Sequence, residues 1–140
     1  MGGAEYMKSI KKYETIINEA LRSALEYDTP EGQINEFISF FGKHIGSDRI
    51  YIFEDDEEHH VTNNTYEWCA EGITPQIEHL QGVNMEVIDW WYDTFEEGKS
   101  VIISDVEELK GVHQVSYNML KYQNVHKVVV SPLRHKGQIR

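Results

Sequence analysis

Three consecutive runs decide the fold: Arg49-Ile50-Tyr51-Ile52-Phe53-Glu54, then Asp55-Asp56-Glu57-Glu58, then Val61-Thr62-Asn63-Asn64-Thr65-Tyr66-Glu67-Trp68-Cys69-Ala70. The first is β-branched and aromatic with a period of two, so it reads as a strand. The four carboxylates cannot pack and read as a solvated turn. The return run is a second strand, with Tyr66 and Trp68 on one face and Glu67 and Cys69 on the other. Strands joined by so short a connection pair antiparallel.

On the N-terminal side lie two helices. No Gly or Pro interrupts 5–27, and its apolar positions recur at helical spacing. Ile10, Ile17 and Ala24 are seven apart, and Tyr6, Tyr13, Ala20 and Tyr27 form a second set of sevens. Together they make a heptad seam. Ile16, Leu21 and Leu25 widen it, so the helix is expected to pack both on its own domain and on a partner helix. The plainer reading is a packing helix with no partner. After Asp28-Thr29-Pro30, where Thr29 or Asp28 can cap and Pro30 suits the first helical position, a second helix is expected over 31–46. Its face carries Ile34, Phe37, Ile38, Phe41 and Ile45, and Gly46 closes it.

On the C-terminal side, 71–84 reads as a loop with Gly72, Pro75 and Gly82. A helix is expected over 85–97, with Met85, Ile88, Trp91, Tyr92 and Phe95 on one stripe and Gly98 at its end. Val101-Ile102-Ile103 is a short strand, 113–123 a helix, and Lys127-Val128-Val129-Val130-Ser131-Pro132-Leu133 a strand. Lys136-Gly137 is a hairpin turn leading into Gln138-Ile139-Arg140. The order predicts an α+β domain with a central, mostly antiparallel sheet of about five or six strands and helices on both faces. The division expected is 1–29 as a dimerising helix and 30–140 as the domain, with the chain stopping where a further strand should run.

Composition narrows the function. The chain has 140 residues, 40% hydrophobic and 11% aromatic, enough for one packed core. Its net charge of −11 argues against binding nucleic acid or an anionic membrane. Charge is uneven: residues 50–109 hold sixteen acids and one base, whereas 110–140 hold six bases and no acid. Either the two segments lie close together or the bases are simply solvated. The single cysteine excludes an internal disulfide and a Cys-rich zinc site. With no apolar run near the roughly 20 residues of a membrane span and no signal-peptide core, a cytoplasmic location is expected.

Catalytic patterns are missing: no GxGxxG, P-loop or GxSxG. Cys69 has no local base, so it reads as a small strand residue rather than a nucleophile. The seven histidines lack helical ligand spacing, and the acids of 54–58 lack the alternation of a calcium loop, so no metal is expected. The aromatic residues Tyr66, Trp68, Trp90, Trp91 and Tyr117 flank one long loop. They are core by default, and together they are candidates to line a small-molecule pocket.

With this order the chain resembles a GAF domain, and it is similar to the sensor domains that precede a GGDEF (diguanylate cyclase) module in clostridial signalling proteins. The resemblance rests on Arg49–Glu54, on Asn64-Thr65-Tyr66-Glu67-Trp68-Cys69-Ala70-Glu71-Gly72-Ile73, on Trp90-Trp91, on Val101–Val106 and on Lys127–Leu133. It implies a regulatory rather than catalytic domain that dimerises through its terminal helices. It also implies an attached output module, and a closing strand and C-terminal helix beyond Arg140. The seam residues Tyr6, Ile10, Tyr13, Ile17, Ala20 and Ala24 are then the expected dimer interface. The NKxnFx3DE pattern of cyclic-nucleotide members is absent. Cys69 is not where bilin-binding members carry theirs, and no haem motif is present, so the resemblance names no cofactor. Some free-standing members reduce methionine sulfoxide through cysteines, but a lone thiol cannot resolve itself into an internal disulfide. The alternative is a structural dimerisation module whose pocket has collapsed into core.

Overall fold

The structure, a computed structural model, describes residues 3–139, with the side chains of Glu5 and Tyr6 left aside. The seam residue Tyr6 and the last residue of the C-terminal strand, Arg140, therefore lie outside what is described. The order is α1 (Gly3–Ala24), α2 (Pro30–Ile45), β1 (Arg49–Asp56), β2 (Val61–Cys69), β3 (Val83–Asn84), α3 (Asp89–Glu96), β4 (Val101–Ile103), α4 (Gln114–Tyr122), β5 (Val128–Val130), β6 (Arg134–His135) and β7 (Gln138–Ile139). Short 3-10 turns occupy Ile77–His79, Met85–Val87 and Val106–Leu109.

The protein is α+β, and its sheets are small and antiparallel. β1-β2-β3 form one sheet, while β4-β5 and β6-β7 are separate two-stranded ladders. This corrects the expectation of one central sheet of five or six strands. The C-terminal strands are too short for that: β5 covers three residues of the seven expected, and Pro132, just beyond it, has no N–H to donate to a ladder. β3, two residues long, pairs Val83 with Thr62 and Asn84 with Val61, and it lies inside the expected loop.

Three further boundaries move. β1 runs on through Asp55 and Asp56, which the sequence placed in the turn, so the turn is confined to 57–60. α1 ends at Ala24 rather than Tyr27, because the next amides tighten onto nearer carbonyls: Glu26 N donates to Ser23 O and Tyr27 N to Ala24 O. The helix expected over 85–97 begins as a 3-10 turn, because the Asn84 side chain accepts from Glu86 N at 2.9 Å; regular helix starts only at Asp89. Other signals hold. Thr29 Oγ1 caps α2 by accepting from Gly32 N at 3.1 Å, Pro30 opens it, and Gly46 closes it in the left-handed region. Lys136 and Gly137 both have positive φ, the backbone of a type I′ hairpin turn between β6 and β7.

The chain forms two compact units. The first comprises the residues up to Phe53 together with Asn64–Gln81; the second comprises Glu54–Asn63 and the residues from Gly82 on. α1 and α2 thus belong to the same unit.

In the first unit α1 and α2 make a helical hairpin. Ile16, Ala20 and Ala24 of α1 are buried, as is Ile38 of α2. Glu36 ties the two helices near their connection, accepting from Ser23 Oγ at 2.7 Å and from Tyr27 Oη at 3.3 Å. Deep in β2, Asn64 is almost fully buried; with its amide assigned so that the nitrogen faces the two neighbouring carbonyls, it donates to Tyr66 O (2.7 Å) and Ile52 O (3.2 Å).

The second unit has its own core of Ile88, Trp91, Phe95, Val101, Ile103, Val106, Leu109 and Leu120. β4 and β5 turn Val101 and Ile103 into that core, while the opposite rung, Ile102 paired with Val129, stands 70% and 66% exposed.

Candidate functional site

The five aromatic candidates divide between the units. Tyr66 and Trp68 belong to the first, and Trp90, Trp91 and Tyr117 to the second. Tyr66 is half-buried. Trp68 lies against the backbone of α2 at Gly42: a β-carbon there would sit 2.4 Å from its Cε3 and Cζ3. The indole thus occupies the space that Gly42 leaves vacant, so Trp68 works as a packing residue of the first unit.

Trp90, Trp91 and Tyr117 are brought together around the second core. Trp90 stacks on His113, ring centroids 4.0 Å apart, and its Nε1 donates to Ser116 Oγ at 2.9 Å. The Ser116 hydroxyl in turn donates a hydrogen bond to Val87 O. Trp91 meets Trp90 edge-on at 6.0 Å and is itself core, with its indole N–H buried and lacking an acceptor. Tyr117 donates to Glu107 Oε2 at 3.0 Å, and Lys121 reaches Glu107 Oε1 at 2.9 Å. These bonds to Lys121 and Tyr117 lower the Glu107 pKa, and the Glu107 carboxylate raises that of Lys121. The Lys121–Glu107 pair also joins the basic C-terminal segment to the acidic middle of the chain.

The seam residues separate in the same way. Ala20 and Ala24 are buried within the α1–α2 hairpin, and Ile10 is half-buried. Tyr13, Ile17 and, beside them, Leu21 stand 51%, 38% and 50% exposed. α1 therefore has one apolar edge used within its own chain and a neighbouring edge left open.

Two clusters escape a reading by sequence. On the face of β1–β2 opposite Trp68, Arg49, Tyr51, Glu67 and Cys69 lie under the 70–81 segment. Arg49 Nη2 donates to Thr74 O at 2.6 Å, and the Glu67 carboxylate accepts from Gln76 N at 2.9 Å and Ile77 N at 3.3 Å. Burial, with Glu67 adding to it, pushes the Cys69 thiol up; burial does the same to Tyr51. The hydrogen bonds of this cluster fasten the loop to the sheet. The period of two put Glu67 and Cys69 on one face. Their loop partners are backbone N–H and C=O groups, which leave no mark in residue type.

The second cluster is a groove of about 350 Å³ in the second unit, lined by Asp55, Glu57, Tyr92, Arg134, Gly137, Gln138 and Ile139. Tyr92 donates its hydroxyl to Asp55 Oδ2, and Arg134 Nη2 donates to Phe95 O at 2.7 Å. Burial, then the Asp55 carboxylate, raises the Tyr92 pKa and keeps the phenol neutral. The only signal in the sequence was the hairpin turn at Lys136-Gly137, which fixes β6 and β7 and so the position of Arg134.

Among the described residues, no group of three or more His, Cys, Asp and Glu could hold a metal, and no helix is long and apolar enough to cross a membrane. No family model matches the chain, nor does any curated protein.

Proposed function

We propose that the chain is a GAF-like regulatory domain, the input module of a bacterial signalling protein of the diguanylate cyclase kind, and that it pairs with a second copy through α1. Its role is to relay a change in helix packing to an attached output module, without making or breaking bonds itself. The observation that carries this reading is the open edge of α1. Tyr13, Ile17 and Leu21 remain exposed next to an edge already packed on α2, and a run of exposed apolar side chains on one helix marks a contact surface. The stretches that resemble GAF sensor domains supply the regulatory half of the reading.

A second reading is favoured at the aromatic residues. Trp68 fills the space over Gly42, and Trp90 is stacked and hydrogen-bonded. That is what a structural dimerisation module with a filled pocket would have.

Ile17→Glu separates the pairing from the fold. The introduced carboxylate lies on the open edge, so light scattering after gel filtration should move from dimer to monomer with an unchanged far-ultraviolet spectrum. A native chain that is monomeric at every concentration, or a variant that still pairs, refutes the dimer.

A further inference from the structure

We propose that the groove of the second unit binds a small zwitterion of the α-amino acid class, with the ammonium on Asp55 and Glu57 and the carboxylate on Arg134. The inference goes beyond the regulatory reading and does not depend on pairing. Its basis is that opposite charges line one groove without cancelling each other. Asp55 and Glu57 bring two carboxylates and Arg134 one guanidinium, yet among the described residues no ion pair closes between them. Two of the charges are held in place. Asp55 is fixed by the Tyr92 hydroxyl, and Arg134 by its bond to Phe95 O. Each keeps bonding capacity: a carboxylate offers about four lone-pair sites and a guanidinium five donors, and among the described residues each side chain makes one of the bonds named here.

The remaining walls suit the same ligand class. Arg134 and Ile139 are Cα partners across the β6–β7 ladder, so the cation and an apolar wall share one hairpin. Gln138 adds an amide that can donate and accept. A volume of about 350 Å³ exceeds what the bare ammonium and carboxylate need and leaves room for a side chain against Ile139. The lining is net negative, so a simple cation would pair with Asp55 and Glu57 but leave Arg134 unmatched, and a simple anion would meet repulsion from both carboxylates. A molecule carrying both charges satisfies all three.

The test is an amide chemical-shift titration of the full chain with each of the twenty free L-amino acids, with acetate and methylammonium as single-charge controls. At least one amino acid should saturate shifts at 134–139 and around Asp55, with a Kd of about 1 mM or tighter. Arg134→Gln and Glu57→Gln should each weaken it by about tenfold or more. Glu57 is exposed, so its variant is expected to stay folded, and an unperturbed spectrum outside the groove checks this. The proposal is overturned if no amino acid saturates, if both variants bind as the native chain does, or if acetate or methylammonium alone binds as tightly.

Discussion

Gly42→Ala is the perturbation whose outcome the structure determines most sharply. In an exposed helix the change is favourable by about 1 kcal/mol, because glycine costs more backbone entropy. Here the new methyl would lie 2.4 Å from Cε3 and Cζ3 of Trp68 and 3.1 Å from Cδ1 of Ile50. Carbon atoms pack at about 3.5–4.0 Å, so the indole must retreat by more than about 1 Å. Overpacking of this kind costs about 1–3 kcal/mol, and a rigid bicyclic ring with two torsions sits in the upper half of that range. Subtracting the helical gain leaves the variant about 1–2 kcal/mol less stable. For a chain of this length that is a midpoint lowered by about 3–8 °C. Thermal unfolding followed by circular dichroism measures it, with the same substitution repeated in a Trp68→Leu background. There the indole is gone and only the Ile50 methyl, at 3.1 Å, has to give way, so the loss on Gly42→Ala should shrink or reverse. A midpoint that rises in both backgrounds, or falls equally in both, would falsify the account of Trp68 as the residue seated on Gly42.

Two further substitutions test buried polar groups. Asn64→Asp replaces an amide that donates to two carbonyls with a carboxylate that can only accept, at a cost of about 2–4 kcal/mol at neutral pH. The introduced acid has its folded pKa raised above the unfolded value of about 3.9, so the penalty shrinks as pH falls toward 4; urea titrations at pH 4.5 and pH 8 should show this, and a pH-independent loss refutes it. Tyr92 has a raised folded pKa, so its contribution to stability is full below the ordinary tyrosine value of about 10 and declines as pH climbs beyond it. Tyr92→Phe should flatten the alkaline limb of the stability curve, leaving the part due to the other groups whose folded pKa is raised, among them Tyr51, Cys69 and Tyr117; an unchanged limb counts against the Asp55–Tyr92 bond.

Much of the local structure was legible because it is written in side chains. Thr29, Pro30 and Gly46 mark both ends of α2, and the alternation of 49–54 marks β1. Lys136-Gly137 marks a turn that the positive φ values bear out. Sheet extent was not legible, because a ladder depends on which backbones meet. β3 spans two residues with no strand pattern, and Pro132 weighed too little against the three valines before it. The site was harder still. Aromatic residues on a strand read alike whether they meet a helix or a ligand, and Gly42 was the mark that Trp68 meets a helix. Arg134 and Asp55 are some eighty residues apart, and nothing in their spacing announces a shared groove.

The outward rung of Ile102 and Val129 has a consequence for behaviour in concentrated solution. Two branched aliphatic side chains facing water invite another molecule to cover them, and mutual repulsion between strongly anionic copies is what opposes this. Acidification toward the isoelectric point near pH 5 protonates the seven histidines and part of the twenty-four carboxylates, which brings the net charge to zero, so the repulsion fades while the greasy spot stays. Colloidal stability should therefore collapse in mildly acidic buffer well before the fold is lost, which turbidity and circular dichroism recorded on the same samples would separate.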